Sequence, residues 1–182
     1  KNAQESLGSY KEYFAREDIT IAGNPEGDVT IVEFFDYNCG YCRKAFEDVV
    51  KIIEADPNVR VVLQEMPILS PSSKTMAQIA LAAHAQGKYF EMHTALMDHK
   101  GNQSNETFFK LAESIGLDIE QLKKDMESEK VLAAIGKSGD MARTLGIRGT
   151  PGFIIGDEIY PGYIGLDAMK KAVADARKKN AE

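Results

Sequence analysis

Val29-Thr30-Ile31-Val32-Glu33-Phe34-Phe35-Asp36-Tyr37-Asn38-Cys39-Gly40-Tyr41-Cys42 is the stretch on which the fold turns. Its first part is apolar on both faces, which reads as a strand inside a sheet rather than at its edge. Beyond it Phe46, Val49, Val50 and Ile53 recur at i, i+3, i+4 and i+7, the spacing of a helix that Asp56-Pro57 stops. The two cysteines, the only ones in 182 residues, therefore stand at a strand-to-helix junction. Unpaired N–H groups and the macrodipole at a helix N-terminus favour a thiolate at Cys39, and thiolate is the species that attacks a disulfide. A structural staple gains little from closing so short a loop. A structural zinc site wants four ligands, and no second Cys-x-x-Cys is present. A redox-active pair is the expectation.

The length fits one compact unit, with room for an insertion. Lys and Arg number 22 against 28 Asp and Glu, a net charge of −6 with no basic cluster, which argues against nucleic acid and anionic membrane surfaces as partners. No apolar run is long enough to span a bilayer, so the chain is expected not to be membrane-embedded. It begins at Lys1 without a signal-like apolar segment, as a processed exported protein or a trimmed chain would.

Residues 1–18 read as an N-terminal helical stub: Leu7, Tyr10 and Phe14 have helical spacing but little else to bury. In 19–73 the pattern runs from a short strand at Ile19–Ala22 through Val29–Asp36 and the helix to a strand at Val59–Leu63. So short a crossover implies a parallel pair. Residues 74–146 contain no convincing strand. Helical spacing recurs after a Ser73 cap (Met76, Ile79, Ala80, Ala83), at Phe90, His93 and Met97, and from Phe108 to Ile115 with Gly116 as the stop. It continues at Leu122 and Met126 and from Val131 to Leu145. In 147–182 Phe153–Ile155, a Gly156-Asp157 turn and Glu158–Tyr160 read as a hairpin, followed by a helix through Leu166, Met169 and Val173. The class is α/β, in the order β-α-β, helices, β-β-α.

That order, with Cys-Gly-Tyr-Cys opening the first core helix and Gly149-Thr150-Pro151-Gly152 opening the third core strand, resembles the thioredoxin superfamily. Within it the chain is similar to the DsbA-like branch of bacterial extracytoplasmic thiol–disulfide oxidoreductases, which carry an all-helical insertion. The resemblance covers about Ile19 to Ala176. It implies a thioredoxin fold, with 19–73 and 147–182 as its halves around a 74–146 insertion, and a periplasmic or cell-envelope location. It also implies a cis peptide bond before Pro151, with Thr150 and Pro151 beside Cys39, where they would pair with an extended substrate. The competing reading is a trans proline starting a strand. Glu33 shares a face with Ile31 and Phe35, so its carboxylate points into apolar surroundings; the family places an acid there as proton relay for the resolving thiol. The alternative is an edge-strand Glu33 facing water.

The resemblance thus assigns Cys39 the attack, Cys42 the resolution and Glu33 the proton, with Gly40, Tyr41, Thr150 and Pro151 contacting substrate. It implies no cofactor and no metal, unfolded or partly folded proteins as substrates, and a membrane partner that recycles the disulfide. Gly40-Tyr41 supplies no positive charge to the thiolate, unlike the Pro-His of strong oxidases in this branch. Together with Thr150 it looks more like the disulfide isomerases and the related copper-tolerance proteins, which assemble through an N-terminal segment where only a short polar stub precedes Ile19 here. A rival from another class is a protein handling Cu(I) at Cys39 and Cys42 as a two-coordinate soft site. Met92, His93, Met97 and His99 could also suggest soft-metal binding, but on an amphipathic helix the methionines are expected to pack and the histidines to lie at the surface.

Overall fold

The computed structural model describes residues 2–182; Lys1, the first residue of the expected stub, lies outside the described residues. In chain order the elements are α1 (Ala3–Phe14), β1 (Ile21–Gly23), β2 (Val29–Phe35), α2 (Gly40–Ala55), β3 (Val59–Glu65), α3 (Pro71–Ala85), α4 (Tyr89–Asp98), α5 (Asn105–Ser114), α6 (Ile119–Asp125), α7 (Glu129–Thr144), β4 (Gly152–Ile155), β5 (Glu158–Pro161) and α8 (Leu166–Asn180). The strands form one sheet in the order β1-β3-β2-β4-β5. The apolar run of β2 is central, as its two apolar faces require: it lies parallel to β3 and antiparallel to β4.

Alternation along the strands sorts the core into two layers. Ile31, Phe35, Val61, Leu63, Phe153 and Ile155 face a large cluster that includes Val49 and Ile52 of α2, Met76 and Ile79 of α3, Met92 and Leu96 of α4 and Met169 of α8. Val32, Phe34, Val62 and Ile154 face the other side, covered by Leu7 and Phe14 of α1, Met141 and Ala142 of α7 and Leu145 just after it. Each such side chain contributes about 1.5–3 kcal/mol by leaving water.

Three expectations are corrected. Helix α1 is not an idle polar stub: Leu7 and Phe14 are buried, and the Phe14 ring stands edge-on to Phe34 at 6.5 Å. The buried Arg60 of β3 donates to the carbonyls of Phe14 (2.5 Å) and Arg16 (2.7 Å), satisfying groups that the helix end leaves free. The helix α3 starts at Ser70 with Pro71 in its first turn, three residues before the expected Ser73 cap. Pro71 fits that first turn because it has no N–H to lose, which leaves the Ser73 hydroxyl free to donate to Asp36 Oδ1 at 2.7 Å. His93 is buried rather than at the surface, with its ring against Phe35, Tyr37, Phe46 and Tyr89, whereas Met92 and Met97 pack as expected.

Replacing Arg60 by Met keeps most of the buried stem and removes both charged hydrogen bonds. Loss of hydrogen bonds from a charged donor is expected to lower stability by about 1.5–3 kcal/mol in a denaturant titration. Proteolysis should then begin near Ala15–Arg16; an unchanged midpoint would show that α1 is held by packing alone.

Candidate active site

Cys39 is the N-cap of α2, with φ −86° and ψ 119°, and its sulfur accepts from the backbone N–H of Cys42 at 3.1 Å. The junction is fastened from behind, where the Cys39 N–H donates to the Asp36 carbonyl at 3.1 Å. Both cysteines carry free thiols. One helical turn separates their surroundings: Cys42 points into the core at 0% exposure, while Cys39 keeps 8% at the surface.

Across from this turn lies the loop entering β4. Thr150–Pro151 is a cis peptide bond, and the Thr150 carbonyl oxygen is 3.5 Å from Cys39 Sγ. Gly152 follows because a Cβ there would collide with the Ile147 side chain. Its pairing with Phe34 fixes the height of the loop along β2.

The two sulfurs differ sharply in acidity. The Cys42 thiol donates to Cys39 and draws its pKa down to about 6, against partial burial. Hydrogen bonds from the Thr150 side chain and from the Cys42 and Tyr41 backbone add to the effect. Burial drives the Cys42 thiol far up, helped by its own bond to Cys39 and by the charge of Glu33. Cys39 is therefore the thiolate and Cys42 the proton-bearing partner.

Glu33 is 2% exposed and its Oε2 has no hydrogen-bond partner. Burial, then the charge of Cys39, pushes its pKa up to about 8, so it can exchange a proton near neutrality. On the outer side Gly40 and Tyr41 are exposed. The Tyr41 ring tilts against Tyr163 at 5.5 Å, and Lys44 Nζ lies 5.1 Å over the Tyr163 ring. The structure thus brings Cys39, Cys42 and Thr150-Pro151 together, couples Glu33 electrostatically to both thiols, and places Gly40-Tyr41 on the solvent side.

Sequence reasoning missed a buried network directly behind the site. Glu65 Oε1 accepts from the hydroxyls of Tyr37 (2.8 Å) and Tyr89 (3.0 Å), and Tyr37 Oη lies 2.8 Å from His93 Nδ1. With the Tyr37 proton directed to Glu65, its oxygen accepts from a His93 Nδ1–H assigned by this network. Burial keeps His93 neutral, with its pKa pushed down to about 3. Arg43 donates to the carbonyls of Tyr37, Met97 and His99, which binds α2 to the end of α4. The only sequence signal was polar residues at positions where alternation demands apolar ones. A cavity of about 320 Å³ lies elsewhere, lined by Ile19, Leu63, Leu81, Val131 and Ser138 but by neither cysteine.

A family model described as the DSBA-like thioredoxin domain matches residues 30–174, and the chain belongs to that family. Fold and paired thiols together define the domain as one of the DsbA-like thiol–disulfide oxidoreductases. A thioredoxin-like oxidoreductase from Silicibacter pomeroyi DSS-3 is 47% identical, with a TM-score of 0.86 over 91% of this chain and 95% of that one. The thiol-disulfide exchange protein alpha-DsbA2 from Wolbachia pipientis is 30% identical, with a TM-score of 0.87 over 95% of each chain. The Na(+)/H(+) antiporter NhaA 1 of Salinispora arenicola is 28% identical over 86% of this chain, and the chain spans 24% of that relative's length. Among the described residues, no helix is long and apolar enough to cross a membrane.

Two measurements test the electrostatics. Alkylation of the reduced protein should fall on Cys39 alone and rise with pH around a midpoint near 6; equal labelling of Cys42 would refute the asymmetry. For Glu33 the native pKa of about 8 stands above its ordinary value of 4.5, so between these pH values the native state holds a proton that the unfolded state has lost. Stability therefore falls as pH rises through that window. Glu33→Gln should abolish this loss, gaining over wild type between pH 5 and 8 by at most about 5 kcal/mol; a pH-independent difference would show that Glu33 is hydrated.

Proposed function

We propose that this domain introduces or rearranges disulfides in exported, unfolded or partly folded proteins, in an extracytoplasmic compartment and with a membrane partner that restores its disulfide. The observation that carries the reading is the Cys39 sulfur, held at the N-cap of α2 by the Cys42 N–H and 3.5 Å from the Thr150 carbonyl. In the oxidising direction a substrate thiolate attacks Cys39 Sγ of the Cys39–Cys42 disulfide. A mixed disulfide forms, and Cys42 leaves as a thiolate that takes a proton from Glu33. A second substrate thiolate attacks the substrate sulfur of the mixed disulfide and expels the Cys39 thiolate. The substrate has lost two electrons and two protons: the protein holds both electrons as a Cys39 thiolate and a Cys42 thiol, one proton restores Glu33 and the other goes to solvent, which leaves the reduced dithiol form with Cys39 ionised. Isomerisation starts from that dithiol: Cys39 attacks a wrong disulfide, the freed substrate thiolate rearranges, and Cys42 gives its proton to Glu33 only if the substrate must be released.

Thr150 and Pro151 line an extended substrate segment in this scheme, with Gly40 leaving the approach to Cys39 open and Tyr41 supplying an apolar contact. The division into halves 19–73 and 147–182 around a helical 74–146 insertion and an N-terminal 1–18 helix belongs to the same reading. Support for the oxidising direction comes from the stabilised thiolate, because a stabilised reduced form makes the disulfide the stronger oxidant.

Comparing guanidinium midpoints of the two redox forms tests the direction. The Cys39 pKa of about 6 lies below its ordinary 9.0, so the thiolate's contribution is fully present above the ordinary value and is lost as pH falls through 6. The reduced form should exceed the oxidised form in stability at pH 8, with the gap shrinking towards pH 5. An oxidised form that is more stable at pH 8 would identify a reductant instead.

A further inference from the structure

Asp36 is a buried carboxyl beside the site that the exchange reaction does not use. It is 2% exposed and fully engaged: Oδ1 accepts from the N–H of Asn38 (2.8 Å) and the hydroxyl of Ser73 (2.7 Å), and Oδ2 from the N–H groups of Ile68 (2.8 Å) and Leu69 (2.9 Å). Its own carbonyl takes the Cys39 N–H at 3.1 Å. One residue therefore joins the strand end that carries the nucleophile to the Met66–Ser70 segment leading into α3. Asn38, the neighbour of Cys39, adds a second tie by donating to the hydroxyls of Ser70, Ser72 and Ser73.

What this clamp holds in place is unusual for a surface segment. Ile68 and Leu69 are 51% and 54% exposed, and with Tyr41 at 62% they are three of the four large hydrophobic side chains that stand out in solvent among the described residues. The fourth, Leu132, is on α7. Two adjacent apolar side chains facing water, with both backbone N–H groups tied to a single buried carboxylate, form a rigid lip rather than a loop that could fold its apolar groups inward.

We propose that Asp36 is a positioning residue for the substrate: it holds the Ile68–Leu69 lip in fixed register with Cys39, so that apolar side chains flanking a substrate cysteine are seated while its sulfur meets Cys39 Sγ. The inference rests on the exchange reading above and adds the preference it confers, for cysteines within apolar, unfolded sequence. The Asp36 carboxylate acts on binding rather than on the sulfur, since its oxygens bond the lip, Asn38 and Ser73; the residue reaches a thiol only through its backbone, at Cys42.

Single-turnover oxidation by the disulfide form tests it, with two reductants: a short peptide bearing two cysteines flanked by leucines, and dithiothreitol, which has no apolar groups to seat. Asp36→Ala frees the lip and is expected to raise half-saturation by the peptide about tenfold, the equivalent of roughly one such hydrogen bond, with a far smaller effect on dithiothreitol. Asp36→Asn, whose carbonyl can still accept from Ile68 and Leu69 while its amide donates to the Ser73 hydroxyl and gives up the Asn38 N–H, should recover most of the loss. Ile68→Ser with Leu69→Ser should weaken the peptide similarly, and adding Asp36→Ala to that pair should change little more, because the two act through one element. Equal losses on both reductants, or full additivity, would overturn the assignment. If Asp36→Ala fails to fold, amide exchange in the wild type decides: Ile68 and Leu69 must exchange at least tenfold more slowly than unprotected amides, and free exchange would refute the clamp. A wild type that oxidises neither reductant would remove the exchange reading, and this inference with it.

Discussion

The sulfur of Cys39 sits where a serine or aspartate oxygen would cap an ordinary helix, and the site is organised around that replacement. A capping hydroxyl satisfies one orphan N–H and remains neutral. A thiolate in the same place receives the Cys42 N–H, the Cys42 S–H and the field of the helix end, and loses all three as a charge-based stabilisation when it becomes half of a disulfide. Partial burial opposes the thiolate, and the net pKa of about 6 shows that the directed donors outweigh it. Cys42, one turn deeper at 0% exposure, has only a backbone hydrogen bond at Asp36 to set against burial, its own bond to Cys39 and the charge of Glu33, so it keeps its proton. A single turn of helix thus turns two identical side chains into an acidic thiol and one that keeps its proton.

Three buried carboxyl groups stand on or just beyond the C-terminal ends of β2 and β3, and the partners of each explain what it can do. Asp36 has donors on both oxygens, two to each, and serves as a strut. Glu65 has the two tyrosine hydroxyls on one oxygen and anchors the packing of α4 through His93. Burial also pushes the Glu65 carboxyl well up and keeps its proton on, whereas Glu33, with one oxygen that has no partner, stands at about 8 and feels the charge of Cys39. Only Glu33 is therefore suited to gain and lose a proton as the thiols change state.

Much of this was readable in one dimension. The run Val29–Phe35 with both faces apolar, the i, i+3, i+4 spacing behind Cys42 and the Gly156-Asp157 turn are local signals, and β2, α2 and the β4–β5 hairpin follow them closely. The apolar neighbours of Glu33 correctly placed it in the core because its burial depends only on which face of the strand it occupies. What escaped was set by partners distant in sequence. Helix α1 has a modest apolar stripe by itself, and it packs because α7 leaves part of the second face of the sheet uncovered. Ser73 has the composition of a cap, but a proline two residues earlier moves the helix start and Asp36 claims its hydroxyl. His93 looks like a surface residue until Tyr37, 56 positions away, supplies a partner for its ring nitrogen.

The meeting of Cys39 with Thr150, 111 residues apart, is itself a consequence of core packing. Strand β4 pairs with β2 so that Phe34 faces Gly152, Glu33 faces Phe153 and Val32 faces Ile154. A slip of one residue would turn Phe153 and Ile155 out of the large cluster and Ile154 out of the smaller one, reversing three buried side chains at once. The register is thus held by apolar burial at about 1.5–3 kcal/mol for each of these side chains. Pro151 precedes Gly152 directly, so the same register carries Thr150-Pro151 beyond the end of β2, level with the turn where Cys39 begins α2. Chemistry at the sulfur depends on hydrogen bonds only a few ångströms long, but the placement of its partner loop is decided by which side chains of β4 reach the core.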